Sequence, residues 1–296
     1  DYTFSLTSRF RVRCDASDND DQVFIDLVTI SGTSFCTPTT GPGGVSSNLD
    51  LWLRGDKING YGVTTDGTNV STWVDNGKGN NATTAVSGQE PVYRNNANDN
   101  LNFNPVIEFQ NDHNTAGADM TYINNRDELS GSSGFNSNDM FLVVIADPTV
   151  TTSMLPLDTF TSSDPLGDSY AEDVTGVGFG GYTQRLSGEY FTYCIGSSSG
   201  SGPYTGYGRG DTSGSNNYNN FNIINVRQNS GNTDMEMYLN ANSVSTSLND
   251  ISLYAPVNNR KYWLGRSQYY NGSFDGKIAE VITFNSRKTD GASERR

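Results

Sequence analysis

Many short segments of this chain alternate apolar and polar residues with the two-residue period of a half-buried β-strand. The alternation predicts strands near residues 49–54, 70–74, 105–109, 140–147, 175–180, 189–195, 221–228, 234–240, 251–254, 261–265 and 274–284. The run at 140–147 is almost continuously apolar, so we expect a central strand with Val143 and Ile145 buried, together with Trp52 of the first strand. Because helical periodicity is nearly absent, the pattern predicts an all-β fold.

Composition supports this prediction and narrows the range of partners. Charged residues are only 18% of the chain, whereas it contains 32 Gly and 16 Tyr, which suits strands joined by polar turns. The formal net charge of −14 would repel a phosphate backbone, so we do not expect nucleic acid as a partner. Since no run of about 18 apolar residues occurs, we expect no membrane insertion.

Two segments precede the main β domain, which we expect to span residues 48–290. Residues 1–32 hold two strand patterns around an Asp-rich turn, and a lone hairpin of this kind needs a neighbour to pack on. Residues 33–47 are rich in Pro and Gly, which is typical of a linker. Cys14 and Cys36 flank part of this region, and the sequence leaves open a disulfide or free thiols. The chain begins inside a strand pattern, so we interpret it as a fragment of a longer precursor.

Two motifs resemble a known family. One is LDLWLRGD at 49–56 with STWVDNGKGNNAT at 71–83, and the other is GSFDGKIAEVITFNS at 272–286. Both resemble the concanavalin A-like, laminin-G-like modules of Bacteroidetes-type secreted surface proteins. The resemblance implies a jelly-roll sandwich of two antiparallel sheets, preceded at 1–32 by a hairpin that ends another β domain. It also implies that Glu280 is a structural acid bonded to backbone or to an arginine.

Catalytic signatures are weak. His113 is the only histidine, and no nucleophile motif accompanies it. Glycosidases on sandwich folds use two carboxylates on one concave face, whereas here only Asp234 and Glu236 share a strand face. In the closing strand, simple alternation places Ile278 on the same face as Glu280. The pattern therefore favours a function without catalysis.

Carboxylates crowd several turns, and calcium prefers oxygen ligands of this kind. The candidate calcium ligands are Asp15, Asp18, Asp20, Asp26, Asp66 and Asp75. The alternative is that these side chains cap backbone N–H groups in Asx-type turns.

Five tyrosines lie in or near Gly-, Ser- and Asn-rich loops, where an exposed aromatic ring suits a glycan or protein partner. They are Tyr204, Tyr207, Tyr218, Tyr269 and Tyr270. The alternative is ordinary packing of the rings within the loops.

Together these observations favour a non-catalytic adhesion or glycan-binding module of a large secreted or cell-surface bacterial protein. The resemblance extends this to substrates of the type IX secretion route. The expected partners are a polysaccharide or a surface protein, and other domains of the same precursor. The alternatives are a glycoside hydrolase or polysaccharide lyase on the same fold, and a structural spacer or subunit of a surface complex.

Overall fold

The chain divides into two compact units, Asp1–Pro38 and Thr39–Arg296. The computed structural model describes residues 41–60, 64–84, 87–110, 127–133, 138–146, 166–168, 176–179, 190–195, 206–211, 220–228, 235–243, 245–249, 262–265, 274 and 276–288. The predicted hairpin at 1–32 and the pairing of Cys14 with Cys36 lie outside these ranges.

Seventeen strands occupy the described ranges. They are β1 (Leu49–Arg54), β2 (Thr72–Trp73), β3 (Ala82–Thr83), β4 (Val92–Arg94), β5 (Val106–Phe109), β6 (Leu129–Ser130), β7 (Asp139–Ala146), β8 (Leu166–Asp168), β9 (Gly176–Phe179), β10 (Tyr190–Ile195), β11 (Gly206–Asp211), β12 (Asn222–Gln228), β13 (Met235–Leu239), β14 (Asn242–Ser243), β15 (Ser245–Asn249), β16 (Tyr262–Leu264) and β17 (Gly276–Phe284). Two 3-10 turns, Pro42–Gly44 and Gly55–Lys57, are the helical elements seen in the same residues. Among the described residues, no helix is long and apolar enough to cross a membrane.

The strands form two sheets, and every pairing between named strands is antiparallel. The first sheet has the order β14-β13-β12-β7-β17-β5-β4, and β1 also pairs with β17. The second sheet has the order β15-β11-β10-β9-β8-β16-β6-β3-β2. The predicted all-β sandwich of two antiparallel sheets is therefore confirmed.

The core lies between the two sheets. Leu51 of β1, Leu142 of β7 and Val281 of β17 come from the first sheet, and Trp73 and Leu264 come from the second. These side chains belong to one buried cluster, which is the expected result when each sheet turns one apolar face inward.

The prediction for the apolar run of β7 was wrong in part. Leu142 and Val144 are buried in the core, whereas Val143 and Ile145 are only half-buried on the opposite face. The strand is central, but one of its faces is incompletely covered. Trp52 is buried as predicted, in a second small cluster with Leu49 and Phe284 rather than in the main core. We call the face of the first sheet that points away from the core its outer face.

A β-bulge in β17 changes which side chains share a face. The register against β7 shifts between Ile278 and Glu280, so Ala279 is the extra residue. Ile278 and Val281 both lie in the core, and Glu280 projects from the outer face. The prediction that Ile278 shares the face of Glu280 was therefore wrong.

Candidate functional site

Four of the five predicted tyrosines lie outside the described residues. These four are Tyr204, Tyr218, Tyr269 and Tyr270. Tyr207 lies in β11, paired with Cys194 of β10 and Asn249 of β15, so its placement in a loop was wrong. The glycines around Tyr207 hid this strand, because they remove the alternation that marks a half-buried strand.

The carboxylate of Asp75 accepts hydrogen bonds from backbone N–H groups of its own loop and of β1. The Trp52 and Gly77 N–H groups donate to Oδ1 at 2.7 Å, and the Gly79 and Asn80 N–H groups donate to Oδ2 at 2.8 Å. A carboxylate offers about four acceptor positions. These four bonds fill them, which is the geometry of the Asx-type alternative to calcium binding.

Asp66 belongs to a different network. It accepts the N–H groups of Asn95 at 2.6 Å and Asn96 at 3.1 Å, and the bond from Asn95 is the main cause of its lowered pKa. Within the part of the chain that the structure describes, no group of three or more His, Cys, Asp or Glu side chains is close enough to hold a metal ion. The other predicted ligands, Asp15, Asp18, Asp20 and Asp26, lie outside that part, so the calcium site stays a prediction.

An aromatic side chain stands out on the surface of the loop between β4 and β5. Leu101 and Asn104 exchange backbone hydrogen bonds of 2.8 and 2.7 Å, which leaves Asn102 and Phe103 as a two-residue turn. We call residues 101–104 the aromatic turn. Phe103 is 92% exposed.

The backbone of the aromatic turn is unfavourable for phenylalanine. Asn102 and Phe103 have φ angles of 46° and 67°, and a two-residue turn with positive φ at both positions is usually Asn-Gly or a similar pair. A bulky residue in this region is a genuine outlier. Strained residues of this kind concentrate at binding sites, where the surrounding structure holds them in place.

A chain of hydrogen bonds fixes the aromatic turn to the rest of the loop. The Phe103 N–H donates to Asn100 Oδ1 at 3.3 Å, and the Asn100 N–H donates to the Asn96 carbonyl at 3.0 Å. Asn96 Nδ2 donates in turn to Asp99 Oδ2 at 2.6 Å. The ring is therefore presented on an ordered backbone, which lowers the entropic cost of binding.

Ion pairs hold the same loop against the outer face of the first sheet. Lys277 Nζ of β17 lies 2.5 Å from Asp99 Oδ1 and 3.7 Å from Glu108 Oε1. Arg94 Nε donates to Glu108 Oε2 at 2.6 Å. The bond from Lys277 is the main cause of the lowered pKa of Asp99. Lys277 and Arg94, the cations that the described residues place beside the loop, are thus engaged by carboxylates.

Glu280, an acid of the outer face, has a structural role. Trp52 Nε1 donates to Glu280 Oε1 at 2.6 Å, and burial raises the pKa of Glu280. The expectation of a backbone or arginine partner for Glu280 missed this indole, although Arg54 is the β1 residue paired with Glu280 in the sheet. Arg54 instead lies over the Trp52 ring, 4.7 Å from its centroid.

Glu236 is the counter-ion of a buried arginine. Arg227 is 1% exposed, and its Nε donates to Glu236 Oε2 at 2.7 Å. The Tyr238 hydroxyl donates to the same oxygen at 3.0 Å. Asp234, which the sequence paired with Glu236 as a candidate catalytic acid, lies outside the described residues.

The comparisons with known proteins identify a fold and no family. No family model matches the chain, and no curated protein matches it. The receptor-binding domain of botulinum neurotoxin type G aligns over 84% of this chain and 51% of its own, with 12% identity and a TM-score of 0.50. The binding domain of botulinum neurotoxin serotype D/C aligns over 82% of this chain and 50% of its own, with 12% identity and a TM-score of 0.45. The CBM40 module of the Ruminococcus gnavus IT-sialidase aligns over 52% of this chain and 78% of its own, with 11% identity and a TM-score of 0.36.

The chain spans about half the length of the toxin domains that it matches. At this level of identity, the type G alignment shows a shared β-sandwich fold alone. The class of protein that the structure defines is therefore a two-sheet β-sandwich module.

Proposed function

We propose that this chain is a non-catalytic glycan-binding module of a larger secreted or cell-surface protein, with a concanavalin A-like sandwich. The observation that carries the proposal is Phe103, whose exposed ring occupies a position that glycine would fill with less strain. The negative face of an aromatic ring attracts the polarised C–H groups of a sugar ring. Amide side chains beside such a platform fix orientation by bonding hydroxyl groups.

Amide side chains that could bond the hydroxyl groups of a sugar surround the aromatic turn. Asn98, Asn102 and Asn104 are exposed within the same loop. Asn98 and Asn102 make no side-chain hydrogen bond to other described residues, so their amide groups face solvent. An amide offers both donors and acceptors, which matches a hydroxyl group in either direction.

The structural partners of two acids on the outer face, Glu236 and Glu280, support binding over catalysis. A glycosidase needs an acid and a second carboxylate about 5–10 Å apart on either side of the scissile bond. Glu236 instead neutralises Arg227, and Glu280 accepts the bond from Trp52. A spacer, the remaining alternative, has no use for a strained and exposed phenylalanine.

The test is native gel electrophoresis of the full chain through a panel of immobilised polysaccharides, with release of reducing sugar measured in parallel. We expect retardation on at least one polysaccharide without release, and loss of retardation in Phe103→Ala. Release that disappears in Glu236→Gln would identify a hydrolase instead. Free migration through every polysaccharide would favour the spacer.

Calcium is part of the proposal at the predicted acids of residues 1–32. Thermal unfolding with calcium and with chelator tests it, because a cation held by these acids stabilises the fold that binds it, and Asp18→Asn should reduce that stabilisation. Equal Tm values in calcium and in chelator would remove calcium from the account.

A further inference from the structure

The aromatic turn has an unusual electrostatic setting. Its loop carries amides and carboxylates, and two cations that lie beside it in the described part of the chain are already paired. Lys277 is bound to Asp99, and Arg94 is bound to Glu108. Asp66 and Asp99 have lowered pKa values, because the Asn95 N–H and the Lys277 ammonium respectively stabilise their charged forms. Both carboxylates are therefore ionised at neutral pH.

Acidic sugars need a different kind of site. A sialic acid, uronic acid or sulfate group is recognised best by charge-assisted hydrogen bonds from a guanidinium or ammonium group. Among the described residues beside the turn, the charges of Lys277 and Arg94 are already offset by Asp99 and Glu108, so an acidic ligand would compete with these carboxylates and be repelled by Asp66. A neutral sugar meets no such barrier, since its hydroxyls can donate to carboxylates and exchange hydrogen bonds with amides.

We propose that the aromatic turn binds an uncharged, hydroxyl-rich saccharide and discriminates against its sialylated, uronic or sulfated forms. This inference rests on the proposed glycan-binding function and assigns its ligand class. The saccharide ring stacks on Phe103, and the exposed amides of Asn98, Asn102 and Asn104 contact its hydroxyl groups. The discrimination comes from Asp66, whose charge is held by the uncharged N–H groups of Asn95 and Asn96, and the net charge of −14 adds to it.

A salt dependence follows from the same charges. Salt screens exposed charges over about 10 Å at 0.1 M ionic strength. Residual binding of an acidic glycan should therefore strengthen as salt is added, because repulsion is what opposes it. Binding through a free cation would weaken with salt instead.

The experiment is a glycan array built from matched pairs, in which each oligosaccharide is printed with and without a terminal acidic residue. Wild type is compared with Phe103→Ala, Phe103→Tyr and Asp66→Asn, at low and at high salt. Asp66→Asn removes the charge but keeps an oxygen for the Asn95 N–H. Ala241→Gly serves as a control in the second two-residue turn, which contains no aromatic residue.

We expect the neutral member of a pair to bind at least about tenfold more tightly than its acidic partner, equivalent to about 1.4 kcal/mol. Phe103→Tyr should retain binding, Phe103→Ala should lose it, and Asp66→Asn should narrow the difference within pairs. Tighter, Phe103-dependent binding of the acidic members would overturn the inference and leave the glycan-binding function intact. Neutral binding that survives Phe103→Ala would overturn the assignment to this turn, and an array without any bound glycan would overturn the proposed function itself.

Discussion

Replacing Phe103 with glycine should make the protein more stable while it removes glycan binding. The φ of 67° at Phe103 is a left-handed conformation, which costs a residue with a side chain about 1–2 kcal/mol. Glycine avoids that cost but loses more backbone entropy on folding, about 0.5–1 kcal/mol. Because Phe103 is 92% exposed, little packing is lost when its ring is removed. The expected net gain in the free energy of unfolding is roughly 0.5–1 kcal/mol.

Thermal unfolding measures this gain, which corresponds to a rise in Tm of about 1–4 °C for a domain of this size. The matched control is Ala241→Gly. Ala241 also has a φ of 67° and follows Asn240, with a φ of 50°, in the turn between β13 and β14. Both substitutions should raise Tm by similar amounts. A lower Tm for Phe103→Gly, together with a higher Tm for Ala241→Gly, would show that the Phe103 ring stabilises the fold. That result would refute the claim that the ring serves binding and not stability.

Three further predictions concern acids with structural roles. Asp75→Asn should lower the free energy of unfolding by about 2–4 kcal/mol, because an amide nitrogen replaces an oxygen that accepts backbone N–H groups; the loss measured in urea should be equal with calcium and with chelator, and a loss seen only with calcium would restore the metal site. Burial raises the pKa of Asp127 from 3.8 to about 6, so the stability from this group is fully present below about pH 4 and is lost as pH rises through 6. Asp127→Asn should therefore flatten the dependence of Tm on pH in that window, and an unchanged slope would contradict the burial of its charge. Glu236→Gln should lower the free energy of unfolding by about 2 kcal/mol, because Arg227 loses the charge of this partner. The loss is smaller than for a fully buried pair, since Glu236 is partly exposed. A weaker glycan affinity in this variant would contradict the structural role of Glu236.

The sequence predicted β1, β7 and β12 well, because each is long enough to show its apolar pattern, whereas the glycine-rich β11 was missed. β1 was placed at its observed ends, and β7 and β12 were placed within one residue of theirs. Strands of two residues, such as β3, are too short to show a period. The bulge in β17 was also invisible, because Ala279 is apolar and small enough for either face.

The candidate site was harder to predict than the fold. An isolated Phe103 is normally a core residue, and only the pairing of Leu101 with Asn104 brings its ring to the surface. The signal in the sequence was Asn102, which tolerates the positive φ that the first position of a two-residue turn requires. Asp75 was predicted as a calcium ligand with backbone capping as the alternative, and the sequence could not separate the two because both use the same residue types. The four N–H groups around its oxygens became evident only in the folded loop.

Isothermal titration calorimetry tests the central claim most directly. A neutral oligosaccharide selected on the array is titrated into wild type, Phe103→Gly and Ala241→Gly under identical conditions. The account predicts that Phe103→Gly raises the Kd at least tenfold, as expected when an aromatic residue at the centre of a contact is removed, about 1.4 kcal/mol or more. Ala241→Gly should leave the Kd unchanged. Equal Kd values for wild type and Phe103→Gly would contradict the claim that this protein binds glycan through its aromatic turn.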